Sequence, residues 1–454
     1  MVLLTAFASA LAISSPFLSL VAAHPFAAGE HEHHSSGPLP GGGKWFQDED
    51  HPAHNLFRRN PLKKRDDSSD FLTVGSPEWV AQYPKSWALT EADVPKAWVD
   101  ALNTAIDAGK IPSYAPSTVD PNGGVPNYAS GVDRNSPDVC ANSDRVCRIP
   151  QDVWDAPDGY IGIGFDDGPT PDSPKLYNFL KENNQASTQY MIGSNVLDNW
   201  QEFQMAYNDL GLDIAVHTWT HPMMTTRTNV QVLGELGWTL QIIYDATNGK
   251  LPRFWRPPYG DIDTRVSAIA REVFGMKAVL WNQDTEDWSM SDSPPGTTLT
   301  QIEKDMTSWL TGSKSPGLII LEHELTNDTI QAFINAWPMI SQNGWKPVSQ
   351  ALLNSSWGAV YQNDDDDDSD NNNDGDEGTD LIFESLFSSD STTSTSSATA
   401  TSSGKGSSTT SSGAQASSTG QAEQGNTSSG AERSMSANAV LSLLVSAGFF
   451  FLLA

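Results

Sequence analysis

Tyr160-Ile161-Gly162-Ile163-Gly164-Phe165-Asp166-Asp167-Gly168-Pro169 decides how this chain is read. The apolar run 160–165 has the length of a β-strand, two carboxylates follow it side by side, and Gly168-Pro169 make the backbone turn. Outward from it, short apolar runs recur at 187–192, 212–216, 254–255, 277–281 and 318–321. The intervening stretches 175–183, 230–246, 264–274, 299–310 and 328–340 carry apolar residues three and four apart, the helical period. Strand then helix, repeated, predicts parallel strands linked by right-handed crossovers, in an open sheet or a β/α barrel.

The residues beyond these strands favour the barrel. Asp166 and Asp167, His217 and His221, Arg256 and Tyr259, Asp284 and Asp287, and His323 each stand just past a strand candidate. The carboxyl ends of the strands are where β/α barrels assemble active sites. Two adjacent acids alone are as readily a solvated turn or a helix cap. His217-Thr218-Trp219-Thr220-His221 adds two imidazoles at i and i+4 that converge on one ion if the segment turns, and Pro222 keeps that turn from becoming a long helix. Two His and one Asp leave a coordination position open for water and substrate, as a catalytic zinc requires.

Taken in order, Gly164-Phe165-Asp166-Asp167-Gly168-Pro169, His217-Thr218-Trp219-Thr220-His221, Arg256-Pro257-Pro258-Tyr259-Gly260, Asp284-Thr285-Glu286-Asp287-Trp288 and Leu321-Glu322-His323 resemble the five motifs of the polysaccharide deacetylases. These are carbohydrate esterases with a NodB homology domain, and the whole layout resembles the fungal chitin deacetylases. Each motif alone is unspecific, but five in the right order are not. Gly164 stands where that family usually has Thr, and little mechanistic consequence is expected of it.

The resemblance implies a distorted (β/α) barrel of the NodB type and assigns roles. Asp167, His217 and His221 would hold a divalent metal, zinc before cobalt. Asp166 would be the general base, oriented by Arg256. His323 would protonate the leaving amine, with Asp287 orienting or tuning it. The backbone N–H of Tyr259 would stabilise the oxyanion, and Trp288 and Leu321 would wall the pocket for the acetyl methyl. The implied activity is metal-dependent removal of N-acetyl groups from chitin, giving chitosan and acetate. The competing readings are a deacetylase of another glycan, such as acetyl-xylan or peptidoglycan, and a catalytically silent wall-binding module, whose mark would be a missing catalytic side chain.

Composition divides the rest of the chain. Residues 1–23 read as a signal peptide ending in Val21-Ala22-Ala23. Residues 24–65 read as a disordered pro-segment with His31, His33 and His34 and the processing-type clusters Arg58-Arg59 and Lys63-Lys64-Arg65. An extension, 66–158, holds the only two cysteines, Cys140 and Cys147, expected to pair in an oxidising route. After the catalytic domain, 159–357, come an acidic linker, 358–387, and a Ser/Thr-rich stalk, 388–430, which cannot bury enough apolar surface to fold. Residues 431–454 read as a removed signal for glycosylphosphatidylinositol attachment at Gly430 or at Asn426, Ser428 or Ser429. Sequons at Asn327, Asn354 and Asn426 fit an extracellular glycoprotein held at the plasma membrane or in the wall. The formal net charge is −30, with ten acids between Asp364 and Asp380 and no Lys or Arg among them, which argues against a nucleic-acid partner. Nothing in the sequence sets an oligomeric state.

Overall fold

The computed structural model describes residues 52–57, 71–85, 89–120, 124–143, 147–354 and 358–364. The signal peptide, most of the pro-segment, the acidic run beyond Asp364, the stalk, the anchor signal and Asn426 lie outside the described residues. Eight strands are present among the described residues: β1 (Tyr160–Gly168), β2 (Thr188–Met191), β3 (Asp213–Val216), β4 (Phe254–Trp255), β5 (Lys277–Ala278), β6 (Gln283–Asp284), β7 (Leu318–Leu321) and β8 (Lys346–Ser349). Every strand pairing is parallel, in the order β5-β4-β3-β2-β1-β7-β6, with β8 beside the first half of β1. β2 and β7 are buried at all positions; β7 accordingly reads as an unbroken apolar run, as strands covered on both faces do, whereas β2 buries Thr188 and Gln189 as well.

Chain connectivity makes this sheet curl. β5 and β6 are its outermost strands, yet only residues 279–282 lie between them. The five residue steps from 278 to 283 reach at most about 18 Å. Seven strands laid flat would set those edges about 29 Å apart. The sheet therefore bends round into the expected distorted barrel. Val153 lies along the seam, its N–H donating to Ala278 O and its carbonyl accepting from Leu280 N–H, both at 2.8 Å.

The five anticipated helices are Ser173–Glu182, Asn229–Ala246, Thr264–Phe274, Leu299–Leu310 and Asn327–Gln342. Thr228, Asp263, Thr298 and Thr326 cap the last four, each side chain accepting a backbone N–H of the first turn. A further helix, Lys96–Asp107, buries Trp98, Leu102 and Ala105 along one stripe. Its neighbours in the extension, Trp79, Tyr83 and Leu89, belong to the same apolar cluster as Leu236, Leu240 and Phe274 of the barrel helices. Cys140 and Cys147 are joined, as expected.

Both flanks of the barrel reach further along the chain than composition suggests. Within the stretch read as a pro-segment, the helix Pro52–Leu56 and the residue after it are part of the fold: Ala53 and Phe57 are buried, and the Phe57 ring lies 5.7 Å from Trp98 and 5.8 Å from Phe274. Burial of Ala53 and Phe57 ties this short segment to the apolar cluster of the barrel helices. The acidic linker likewise starts with ordered chain, since Tyr361 bridges Pro252 antiparallel and Asp364 pairs with Lys250.

Trp98 crosses the helix Asn229–Ala246 at Gly237, where a Cβ would lie 2.5 Å from one ring carbon of Trp98 and 3.0 Å from the Phe274 ring. Gly237→Ala would gain about 1 kcal/mol in helix propensity. Forcing two packed aromatic rings apart costs about 1–3 kcal/mol. The expected outcome is a net loss of stability and a lower Tm in a thermal melt, where propensity alone predicts a rise.

Candidate active site

The barrel rim sets the site residues in one row. Asp166 on β1 bridges His323 on one side and pairs with Tyr190 of β2 on the other. One strand further on, His217 N–H donates to Met191 O at 2.8 Å, and next to it Arg256 N–H donates to Val216 O at 2.9 Å. Asp166 near the end of β1 and His217, Arg256 and His323 one or two residues past β3, β4 and β7 thus reach the same level.

Asp167 turns out of that row. Its φ of 72° lies in the left-handed region, as do Thr218 at 69° and His221 at 57°, so the carboxylate and both imidazoles are set by strained backbone. The strain brings three ligand atoms together: Asp167 Oδ1 lies 3.3 Å from His217 Nε2 and 3.1 Å from His221 Nε2, and one atom from each residue falls within 4.8 Å of the others. His217 Nδ1 faces the Arg256 carbonyl at 2.8 Å. A carbonyl only accepts, so Nδ1 carries a proton and Nε2 is the nitrogen turned towards Asp167 and left to face a cation. Asp167 Oδ1 is buried and has no hydrogen-bond partner among the described residues. Converging acceptors of this kind fit a divalent cation, and the donor set, two imidazoles and a carboxylate, fits zinc chemistry.

Two side chains flank the three ligands. Asp166 Oδ1 accepts from Arg256 Nη1 at 2.7 Å, while its Oδ2 lies 3.8 Å from His217 Nε2. Across the row, His323 Nε2 is 4.0 Å from Asp167 Oδ2. One carboxylate grips His323 twice: Asp287 Oδ1 meets its Nδ1 at 2.6 Å and Asp287 Oδ2 accepts its backbone N–H at 2.9 Å. Burial pulls the His323 imidazole towards the neutral form, but Asp287 first, with Asp167 and Asp166, outweighs it and pushes the pKa up to about 10. This ring keeps its proton through the neutral range.

Other residues the motifs name lie at the rim with looser ties. Tyr259, at φ 59°, is 47 % exposed and its ring lies 4.7 Å from that of His221. Trp288 is half-buried with its N–H held by Asp287 Oδ1, and Leu321 is buried in β7. Asn327 is exposed at the start of its helix, with its side-chain amide on Asp172, and Asn354 is half-buried.

Sequence reasoning missed the braces. Glu235, in the middle of the helix Asn229–Ala246, accepts from Trp219 N–H at 2.9 Å, Thr220 N–H at 2.8 Å and Thr220 Oγ1 at 2.6 Å, clamping the loop between the two histidines. Asn195 Nδ2 donates to Asp167 O at 2.9 Å. An acid between Val232, Leu233 and Leu236 on a buried helix was the one available signal for Glu235.

Three ligands with an open side, a held carboxylate on one flank and a protonated histidine on the other make a metal-assisted hydrolase site. Residues 155–279 match the family model described as polysaccharide deacetylase. Chitin deacetylase 3 of Cryptococcus neoformans is 38% identical over 332 residues, covering 72% of this chain and 73% of that protein. Chitin deacetylase 2 of Saccharomyces cerevisiae is 30% identical over 269 residues, covering 59% and 78%. Among solved structures, a family 4 carbohydrate esterase from Streptomyces lividans in complex with acetate is 28% identical with a TM-score of 0.37, covering 45% of this chain and 97% of that one. The chain belongs to the polysaccharide deacetylase family.

Two variants separate holding the ion from using it. His217→Ala is expected to lose zinc in a metal titration, whereas Asp166→Asn is expected to bind zinc normally and lose nearly all turnover. Asp287→Asn removes the strongest influence raising the His323 pKa. A general acid works only below its pKa, so the alkaline fall of kcat is expected to move to lower pH in a pH–rate profile of that variant.

Proposed function

We propose that this protein is a chitin deacetylase, which hydrolyses the N-acetyl groups of chitin to chitosan and acetate with zinc, or failing it cobalt, held by Asp167, His217 and His221. The observation that carries the reading is the pair of flanking groups, Asp166 tied to Arg256 and His323 tied to Asp287, with the three ligands between them. The relatives named for chitin support the substrate.

When bound, the metal supplies a Lewis acid for the acetyl carbonyl and a more acidic water. The chain supplies the proton traffic. Asp166, fixed through Oδ1, takes the proton of the attacking water at Oδ2. The Tyr259 N–H donates to the carbonyl oxygen as charge builds there. His323 gives its proton to the departing amine, which would otherwise leave as a strongly basic anion. Trp288 and Leu321 bound the space for the acetyl methyl.

The reading includes an extracellular route. The Cys140–Cys147 bridge and the sequons at Asn327 and Asn354 support secretion, and the composition beyond 388 supports a glycolipid-anchored stalk at the plasma membrane or in the wall. Among the described residues no helix is long and apolar enough to cross a membrane.

Acetate release from chitin hexamer tests the reading. The secreted protein is expected to release acetate, to stop on chelation, and to recover when zinc is returned, with acetyl-xylan a much poorer substrate. Release from acetyl-xylan but none from the hexamer would overturn it.

A further inference from the structure

Behind Asp166 lies a buried amide that no part of this mechanism uses. Gln350 directly follows β8 and is fully buried. Its Oε1 accepts from Arg256 Nη2 at 2.5 Å and from the Tyr190 hydroxyl at 2.9 Å, and its Nε2 donates to Gly162 O at 3.2 Å. We infer that Gln350 is a positioning residue for the base: its amide, seated in the space that the absent side chain of Gly164 leaves open, sets the Arg256 guanidinium that fixes Asp166. This rests on the reading of Asp166 as general base.

The argument is one of donors in a fixed plane. Arg256 is fully buried, its guanidinium 4.0 Å from the centre of the Tyr190 ring. Its Nε donates to Val279 O at 2.8 Å, its Nη1 to Asp166 at 2.7 Å, and its Nη2 reaches Leu280 O only at 3.4 Å. Gln350 is therefore the close acceptor for Nη2. Because the guanidinium fork is rigid and planar, a shift of Nη2 towards another acceptor carries Nη1 away from Asp166. The choice of a neutral acceptor matters as well. A carboxylate at 350 would compete with Asp166 for the only charge that Arg256 has, and an apolar side chain would leave a buried cationic donor unpaired.

Gly164 makes the seat. It is a β1 residue without a positive φ, so the backbone does not demand glycine there. Space does: a Cβ at 164 would lie 2.8 Å from the Gln350 amide carbon, 2.9 Å from its nitrogen and 3.0 Å from its oxygen. A side chain at 164 and the observed amide of Gln350 exclude each other.

The test uses Gln350→Leu, similar in bulk but without an acceptor, and Gly164→Ala, which crowds the same amide without deleting it. Each is expected to lower kcat on chitin hexamer about 10- to 100-fold while KM and zinc affinity stay within about twofold, the order of loss seen when supporting shells are removed. The double variant is expected to lose no more than the worse single one, because both act on one contact. Crystal structures read the Arg256 Nη1–Asp166 Oδ1 distance without turnover, and it is expected to lengthen in both variants. Should Gln350→Leu not fold, Gly164→Ala carries the same expectation. Wild-type kcat in a folded variant, losses that multiply in the double variant, or zinc affinity falling as steeply as kcat would each overturn the inference. If the wild type releases no acetate, the functional reading falls, and an unchanged Arg256–Asp166 distance would then overturn the positioning role on its own.

Discussion

A carboxylate oxygen and the Nε2 atoms of two imidazoles converge inside the barrel mouth, Asp167 Oδ1 lying 3.3 Å from His217 and 3.1 Å from His221. With both rings neutral and their Nε2 atoms unprotonated, three acceptors at this range repel, and a cation or a proton between them turns the repulsion into attraction. Left-handed backbone at Asp167, Thr218 and His221 keeps them there, and that backbone is in turn pinned by Asn195 and Glu235. The barrel thus holds three ligand atoms in an arrangement that positive charge at their centre makes favourable. The flanking base and acid have meaning only in relation to it.

Much of this was legible because parallel strands buried on both faces leave apolar runs, and because Asp166, His217 and Arg256 follow such runs directly and His323 one residue later. The strands that escaped notice lack that signature. β6 is Gln283 and Asp284, both polar, and β8 opens on Lys346-Pro347, so neither carries an apolar run. The helix Lys96–Asp107 lies in the extension, where Trp98, Leu102 and Ala105 at helical spacing were the available signal.

The supporting residues were illegible for a different reason. Gln350 and Glu235 lie far along the chain from the groups they hold, and one polar residue among apolar neighbours does not reveal which distant donors it meets. Gly164 is the instructive position. Read in one dimension it is a departure from a pattern with little consequence. In three dimensions its missing side chain is the volume occupied by an amide from β8's end, a correlation between residues nearly two hundred positions apart that only folding exposes.

The helix Asn229–Ala246 serves two masters. Glu235 on it clamps the histidine loop, and two residues later Gly237 is the notch that receives Trp98 from the extension. A disturbance of residues 96–107 therefore has a short mechanical route to the loop that carries His217 and His221. Loss of the N-terminal wrapping would reach the histidine loop through this one helix.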